Sequence, residues 1–138
     1  MSLALAGTDV RVVGVESEAS PSMSAAISAG TIVPITVEPT LADGLAGNLE
    51  AGAITLDIAL DHKVEVLTAS EADIRSAMAY AADKMGLVLE GAGAVGVAAV
   101  RAGLVAPDDG GRATVVLLTG RNVAPALLEE VDVYKRQV

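Results

Sequence analysis

Apolar positions along the chain switch between the short runs of strands and the wider spacing of helices. The run 11-RVVGVE-16 is apolar and β-branched and predicts a strand. It leads into 20-SPSMSAAISAG-30, which reads as a helix with Ser20 as N-cap, Pro21 in the first position and Gly30 as the stop. The segment 31-TIVPITVEPTLADGLAGN-48 holds Pro34, Pro39, Asp43, Gly44 and Asn48, so it reads mostly as loop, with a short strand at Ile35–Val37. A short helix is expected from Ala53 to Asp61, and 63-KVEVLT-68 alternates as a strand. Ser70 with Asp73 resembles a capping box with Asp in place of Glu; the apolar positions Ile74, Ala77, Met78, Ala81 and Met85 keep helical spacing, and Gly86 supplies a left-handed stop.

Beyond Gly86, an extended piece at Leu87–Leu89 passes through Glu90 into a helix that runs to Val100 and ends by Gly103. A loop with 107-PDDGG-111 precedes the strand 113-ATVVLLT-119, and Pro125 helps to begin a last helix. Strands alternating with helices predict an α/β fold, a parallel sheet with helices on both faces. No internal repeat or long linker interrupts the order.

Gly91, Gly93 and Gly96 spell G-x-G-x-x-G, the pattern of a dinucleotide-binding turn. Such a turn follows a long buried strand and is completed by an acid at the tip of the next strand. Here only Leu87–Leu89 separate Gly86 from Glu90, and the next strand ends in Thr119-Gly120 without a carboxylate. Glu90 would also repel a pyrophosphate. Two readings stay open: glycines that let a helix pack closely on its neighbours, or backbone passing close to another flat ligand.

Composition narrows the chemistry. With 138 residues, the chain is one domain or part of one. It has no Phe or Trp, so its core is built from Ala, Val, Leu, Ile and Met. A formal charge of −9 argues against a nucleic-acid partner. Without cysteine, disulfides, a thiolate nucleophile and Cys-ligated zinc are excluded, and a lone histidine, His62, excludes a multi-His metal site. The apolar start MSLALAG is too short to span a membrane and lacks a basic flank, so a cytoplasmic location is expected. The tail 133-VYKRQV-138 changes character abruptly and is set aside, with residues 132–138, as non-native or disordered.

Taken in order, VVGVE, LADGLA, LVLEGAGAVGVAA and VVLLTGRNV resemble the C-terminal part of the fold type II pyridoxal-phosphate enzymes of the threonine dehydratase and serine racemase family, over residues 1–131. The resemblance implies part of that family's large domain, with pyridoxal phosphate as cofactor of the full-length parent. It implies that the ADG loop with Gly44 lines the active site, and that Glu90 and its glycines lie near the cofactor ring. Gly91 replaces the family's usual proline. The hydroxyl of Thr119, beside Gly120 and Asn122, is implied to meet the pyridine nitrogen, and Arg121 stands where a second glycine is common. A neutral partner for that nitrogen makes a weaker electron sink than a carboxylate would, suiting β-elimination over transamination. By residue type alone, Thr119 is better read as a cap of the turn after a buried strand, whereas Asp43 suits a functional loop residue and a backbone-holding turn residue equally.

The implied reaction converts L-threonine or L-serine to a 2-oxo acid and ammonia, in a homo-oligomeric parent whose partner is a small amino-acid substrate, with neither membrane nor nucleic acid. Threonine synthase, another fold type II enzyme and a noncatalytic small-molecule-binding module are the alternatives. The family's cofactor-bearing lysine and glycine-rich phosphate loop have no match here, since the only lysines are Lys63, Lys84 and Lys135. Residues 3-LALAG-7 look like the end of the helix after that loop, so a C-terminal fragment without catalytic residues of its own, inactive alone, is expected. Some family members bind a divalent cation with the glutamate matched by Glu16, but the second acid is replaced by Ser22, so that site is expected to be weakened or lost.

Overall fold

The computed structural model describes residues 1–106 and 111–127; most of the 107–111 loop, the expected boundary at 131 and the tail at 132–138 lie outside the described residues. The elements are β1 (Val13–Ser17), α1 (Ser22–Ala29), α2 (Ile54–Asp61), β2 (Glu65–Ala69), α3 (Glu71–Tyr80) and α4 (Gly91–Arg101). Single 3-10 turns occupy Ser2–Leu5 and Asp43–Leu45. Among the described residues no helix is long and apolar enough to cross a membrane.

β1 and β2 pair in parallel, from Val13 opposite Glu65 to Ser17 opposite Ala69. The helices pack on this sheet as expected of an α/β fold: α4 lies against both strands and along α3, while α1 meets α2 and β2. The core is centred between α3 and α4, where Ile74, Ala77, Met78 and Ala81 meet Val95, Val97 and Ala98. Small side chains let these helices approach closely, in keeping with a chain that has no Phe or Trp. Met85 departs from the expected stripe and is 41% exposed. The helix widens into a π turn over Ala81–Met85, which rotates Met85 off the buried face before Gly86 stops the chain at φ 66°.

The cap of α3 is as expected: Ser70 Oγ accepts from the Asp73 N–H at 3.1 Å and donates to Asp73 Oδ2 at 2.6 Å. The cap of α1 is not. Pro21 takes the N-cap position and the helix begins at Ser22, while Ser20 Oγ accepts from the Gly47 N–H at 3.0 Å and anchors the following loop. Glu16, at the buried end of β1, does the capping instead, accepting from Met23 N–H at 3.0 Å and Ser24 N–H at 2.8 Å. A carboxylate there satisfies otherwise orphaned amides and complements the positive helix end.

Two expected strands are absent. Ile35–Val37 forms none; the Asn48 side-chain amide accepts from Ile35 N–H at 2.7 Å and donates to its carbonyl at 3.2 Å, imitating a strand partner. Residues 113–119 form neither helix nor strand and pair with no strand among the described residues. Their alternation survives: Val116 and Leu118 pack on the core, whereas Val115 and Leu117 are 81% and 57% exposed.

If Glu16 is the α1 cap, Glu16→Ala should lower stability by about 1–2 kcal/mol. Urea denaturation should show a lower midpoint at unchanged slope; an unaltered midpoint would contradict the assignment.

Candidate functional site

Three stretches of backbone converge where α4 begins. Glu90 is the N-cap residue of that helix. Its N–H donates to the Gly120 carbonyl at 3.3 Å, and its Oε2 accepts from the Asn122 N–H at 3.0 Å. The carboxylate therefore faces the 119–122 turn and fastens it to the helix start. Gly120 has to be glycine twice over: its φ is 71°, and a Cβ there would collide with the Glu90 carboxylate.

The next turns of α4 complete the junction. A Cβ on Gly93 would land on the Thr119 carbonyl, and one on Gly91 would land on the Leu41 carbonyl. One on Gly44 would stand 3.2 Å from the Ala92 methyl and 4.0 Å from Glu90 Oε1. The structure thus brings together all four expected site residues, Gly44, Glu90, Thr119 and Gly120. It also decides between the two readings of the glycine run, because Gly91 and Gly93 face this chain's own backbone rather than open space.

Gly44, Thr119 and Gly120 are exposed, and Glu90 is half-buried. Asp43 is exposed as well, and its Oδ1 accepts from the Gly44 N–H at 2.8 Å, the backbone-holding role of a turn aspartate. The result is a wall of backbone and one carboxylate, with a threonine at its edge. Such a surface can offer an exposed threonine and the exposed backbone of Gly44 and Gly120 to a flat, partly polar molecule.

Neither described lysine belongs to this wall. Lys63 precedes β2, at the opposite end of the strand from the buried Ala69, in a left-handed conformation with φ 50°. Lys84 sits in the π turn and pairs with Asp83 at 2.8 Å. Lys135 lies outside the described residues. Glu16, which the sequence matches to a cation ligand, has both oxygens engaged by the amides of α1.

One participant escaped sequence reasoning. Glu71 opens α3 and holds the loop that leads to Gly44, accepting from Leu41 N–H at 2.8 Å and from Ser17 Oγ at 2.8 Å, as well as from Thr40 Oγ1. Its only local signal is an acid directly after the capping serine.

The family model described as pyridoxal-phosphate dependent enzyme matches residues 1–120. The L-threonine ammonia-lyase of Thermotoga maritima is 32% identical over 123 residues, covering 89% of this chain and 30% of that protein. The L-threonine ammonia-lyase of Geobacter sulfurreducens is 38% identical over 114 residues, covering 83% of this chain and 28% of that protein. The chain thus spans under a third of the length of these curated relatives. The crystal structure of a T.th. threonine deaminase superposes with a TM-score of 0.70 at 31% identity, over 88% of this chain and 43% of that one.

The junction makes an ordered prediction about alanine substitutions. Gly91→Ala and Gly93→Ala, which meet backbone, should cost more than the about 1–3 kcal/mol of ordinary overpacking. Gly96→Ala, which meets only a methyl group of Val116, should fall within that range. Thermal or urea unfolding of the three variants would reveal the order, and equal losses would contradict the geometry.

Proposed function

This chain belongs to the pyridoxal-phosphate dependent enzyme family, and from that premise we propose that it builds the ring-nitrogen side of the cofactor site in an ammonia-lyase acting on L-threonine or L-serine. The observation that carries the reading is the convergence of Gly44, Glu90, Thr119 and Gly120 on one wall. Its relatives in Thermotoga maritima and Geobacter sulfurreducens, both L-threonine ammonia-lyases, support the reaction class.

The residues present fit such a cofactor. Thr119 is exposed at the wall's edge, and a hydroxyl is a suitable partner for a pyridine nitrogen because it hydrogen-bonds without adding charge. Gly44 and Gly120 are bare because a Cβ would meet Ala92 or Glu90, and the exposed backbone of their two turns is the surface offered to a ring. Glu90 is anchored by its bond from Asn122 N–H, which ties the 119–122 turn to the start of α4. When bound, pyridoxal phosphate supplies the electron sink that lets an amino acid lose its α-proton and then its β-hydroxyl. Thr119 would be the residue to meet the ring nitrogen, where a neutral hydroxyl would favour elimination by leaving that nitrogen uncharged, and Glu90 holds the turn that carries Thr119. The products are a 2-oxo acid and ammonia. A cytoplasmic, homo-oligomeric parent enzyme belongs to the same proposal and rests on the family resemblance and the cysteine-free sequence.

Amide NMR shifts on titration with pyridoxal phosphate would test the assignment. Perturbations are expected at Gly44, Glu90, Gly120 and Asn122, with affinity weakened about 3- to 10-fold by Thr119→Val and kept by Thr119→Ser. Shifts centred elsewhere, or indifference to Thr119→Val, would sink it. Because neither Lys63 nor Lys84 borders the wall, the chain with pyridoxal phosphate should release no 2-oxo acid from threonine or serine. Turnover accompanied by a stoichiometric, borohydride-trapped lysine would overturn that expectation.

A further inference from the structure

Glu71 occupies the first position of α3, yet its oxygens reach away from that helix. Oε1 accepts from Ser17 Oγ at 2.8 Å and from Thr40 Oγ1, and Oε2 accepts from Leu41 N–H at 2.8 Å. Thr40 Oγ1 lies 3.0 Å from Ser17 Oγ and accepts from the Ala42 N–H at 3.0 Å. One carboxylate therefore joins the last residue of β1, the start of α3 and two successive loop residues. On its other side the same loop is pressed by Leu41 and Ala42 onto Gly91, and Ala42 is fully buried. The loop is a slab held between a carboxylate and a helix start, and it continues directly into Asp43 and Gly44.

A helix-end acid serving only the α3 dipole would not need this arrangement. Among the described residues, β1 presents the Ser17 hydroxyl to Glu71, the loop presents the Thr40 hydroxyl and the Leu41 N–H, and Arg75 on α3 contributes the nearby charge. Burial by itself raises the Glu71 carboxyl, but the bonds from Leu41, Thr40 and Ser17, with Arg75, outweigh it and hold the group below its ordinary value. The sign follows: the tether is complete above the ordinary carboxylate range and is lost as pH falls through the lowered value.

We propose that Glu71 is the positioning residue of the wall: its ionised carboxylate sets the height of the Ala42-Asp43-Gly44 turn over Glu90 and Ala92, and with it the width of the opening presented to the cofactor ring. The functional meaning rests on the reading given under Proposed function, whereas the tether itself requires no cofactor. Gln at this position keeps the size but not the charge of the acceptor. Asp keeps the charge but falls one methylene short of the loop.

Hydrogen exchange of the unliganded chain, followed by NMR at single amides, tests this directly. Glu71→Gln should speed exchange of Leu41 and Ala42 roughly 10- to 100-fold, the loss expected for charge-assisted bonds, while Ala98 and Ala99 in α4 keep their protection. In the wild type, after correction for intrinsic chemistry, loop protection should fall as pH is lowered, and Glu71→Gln should abolish that dependence. Thr40→Val removes one donor without touching the carboxylate and should speed the same amides about 3- to 10-fold; it decides the matter if Glu71→Gln does not fold. Unchanged loop exchange in the variants, or equal loosening of loop and α4, would overturn the proposal. Because the readout uses no cofactor, failure to bind pyridoxal phosphate would sink the proposed function while leaving the tether standing.

Discussion

The start of α4 touches two other stretches of backbone with no room for a methyl group between them, and the rest of the structure depends on that closeness. Gly91 rests on the Leu41 carbonyl and Gly93 on the Thr119 carbonyl. Two loops far apart in sequence are thereby brought to either side of Glu90, and an acid, a threonine and two glycines become neighbours. The core obeys the same demand, since Ala, Val and Ile between α3 and α4 allow the approach that bulky aromatics would prevent.

Three carboxylates then secure what the glycines permit. Glu16 binds the first amides of α1, Glu71 binds the loop at Leu41, and Glu90 binds the turn at Asn122. Two of them follow directly from the sheet: Glu16 lies near the C-terminal end of β1, and Glu71 begins the helix after β2. Loops at the C-terminal edge of a parallel sheet are where binding sites of α/β proteins collect. In a chain of formal charge −9, these acids act as internal ties, accepting from backbone amides that would otherwise lack partners.

Features governed by neighbours in sequence were legible before the fold was known. Ser70 and Asp73 cap a helix at a separation the chain itself displays, and Gly86 stops the same helix by its left-handed conformation. The four site residues were legible through their motifs, although only the structure shows why Gly120 must be bare. Features governed by distant partners were hidden. Ser20 is a better cap by type than Glu16, but the strand end carries Glu16 to the helix while Gly47 claims Ser20. The run 113–119 has the alternation of a strand without a bonded neighbour among the described residues. Glu71 meets Ser17 and Thr40 only after β1 and β2 pair, and no spacing along the chain announces that.

The wall exists in solution only if the three turns meet there. Nuclear Overhauser contacts provide the most direct measurement, between the Gly44 α-protons and the Ala92 methyl, and between the Gly93 α-protons and residues Thr119 and Gly120. Both sets are predicted in the unliganded chain, alongside the ordinary contacts between α3 and α4. Strong contacts between those helices with neither set at the α4 start would show that the wall does not form, and would contradict the account.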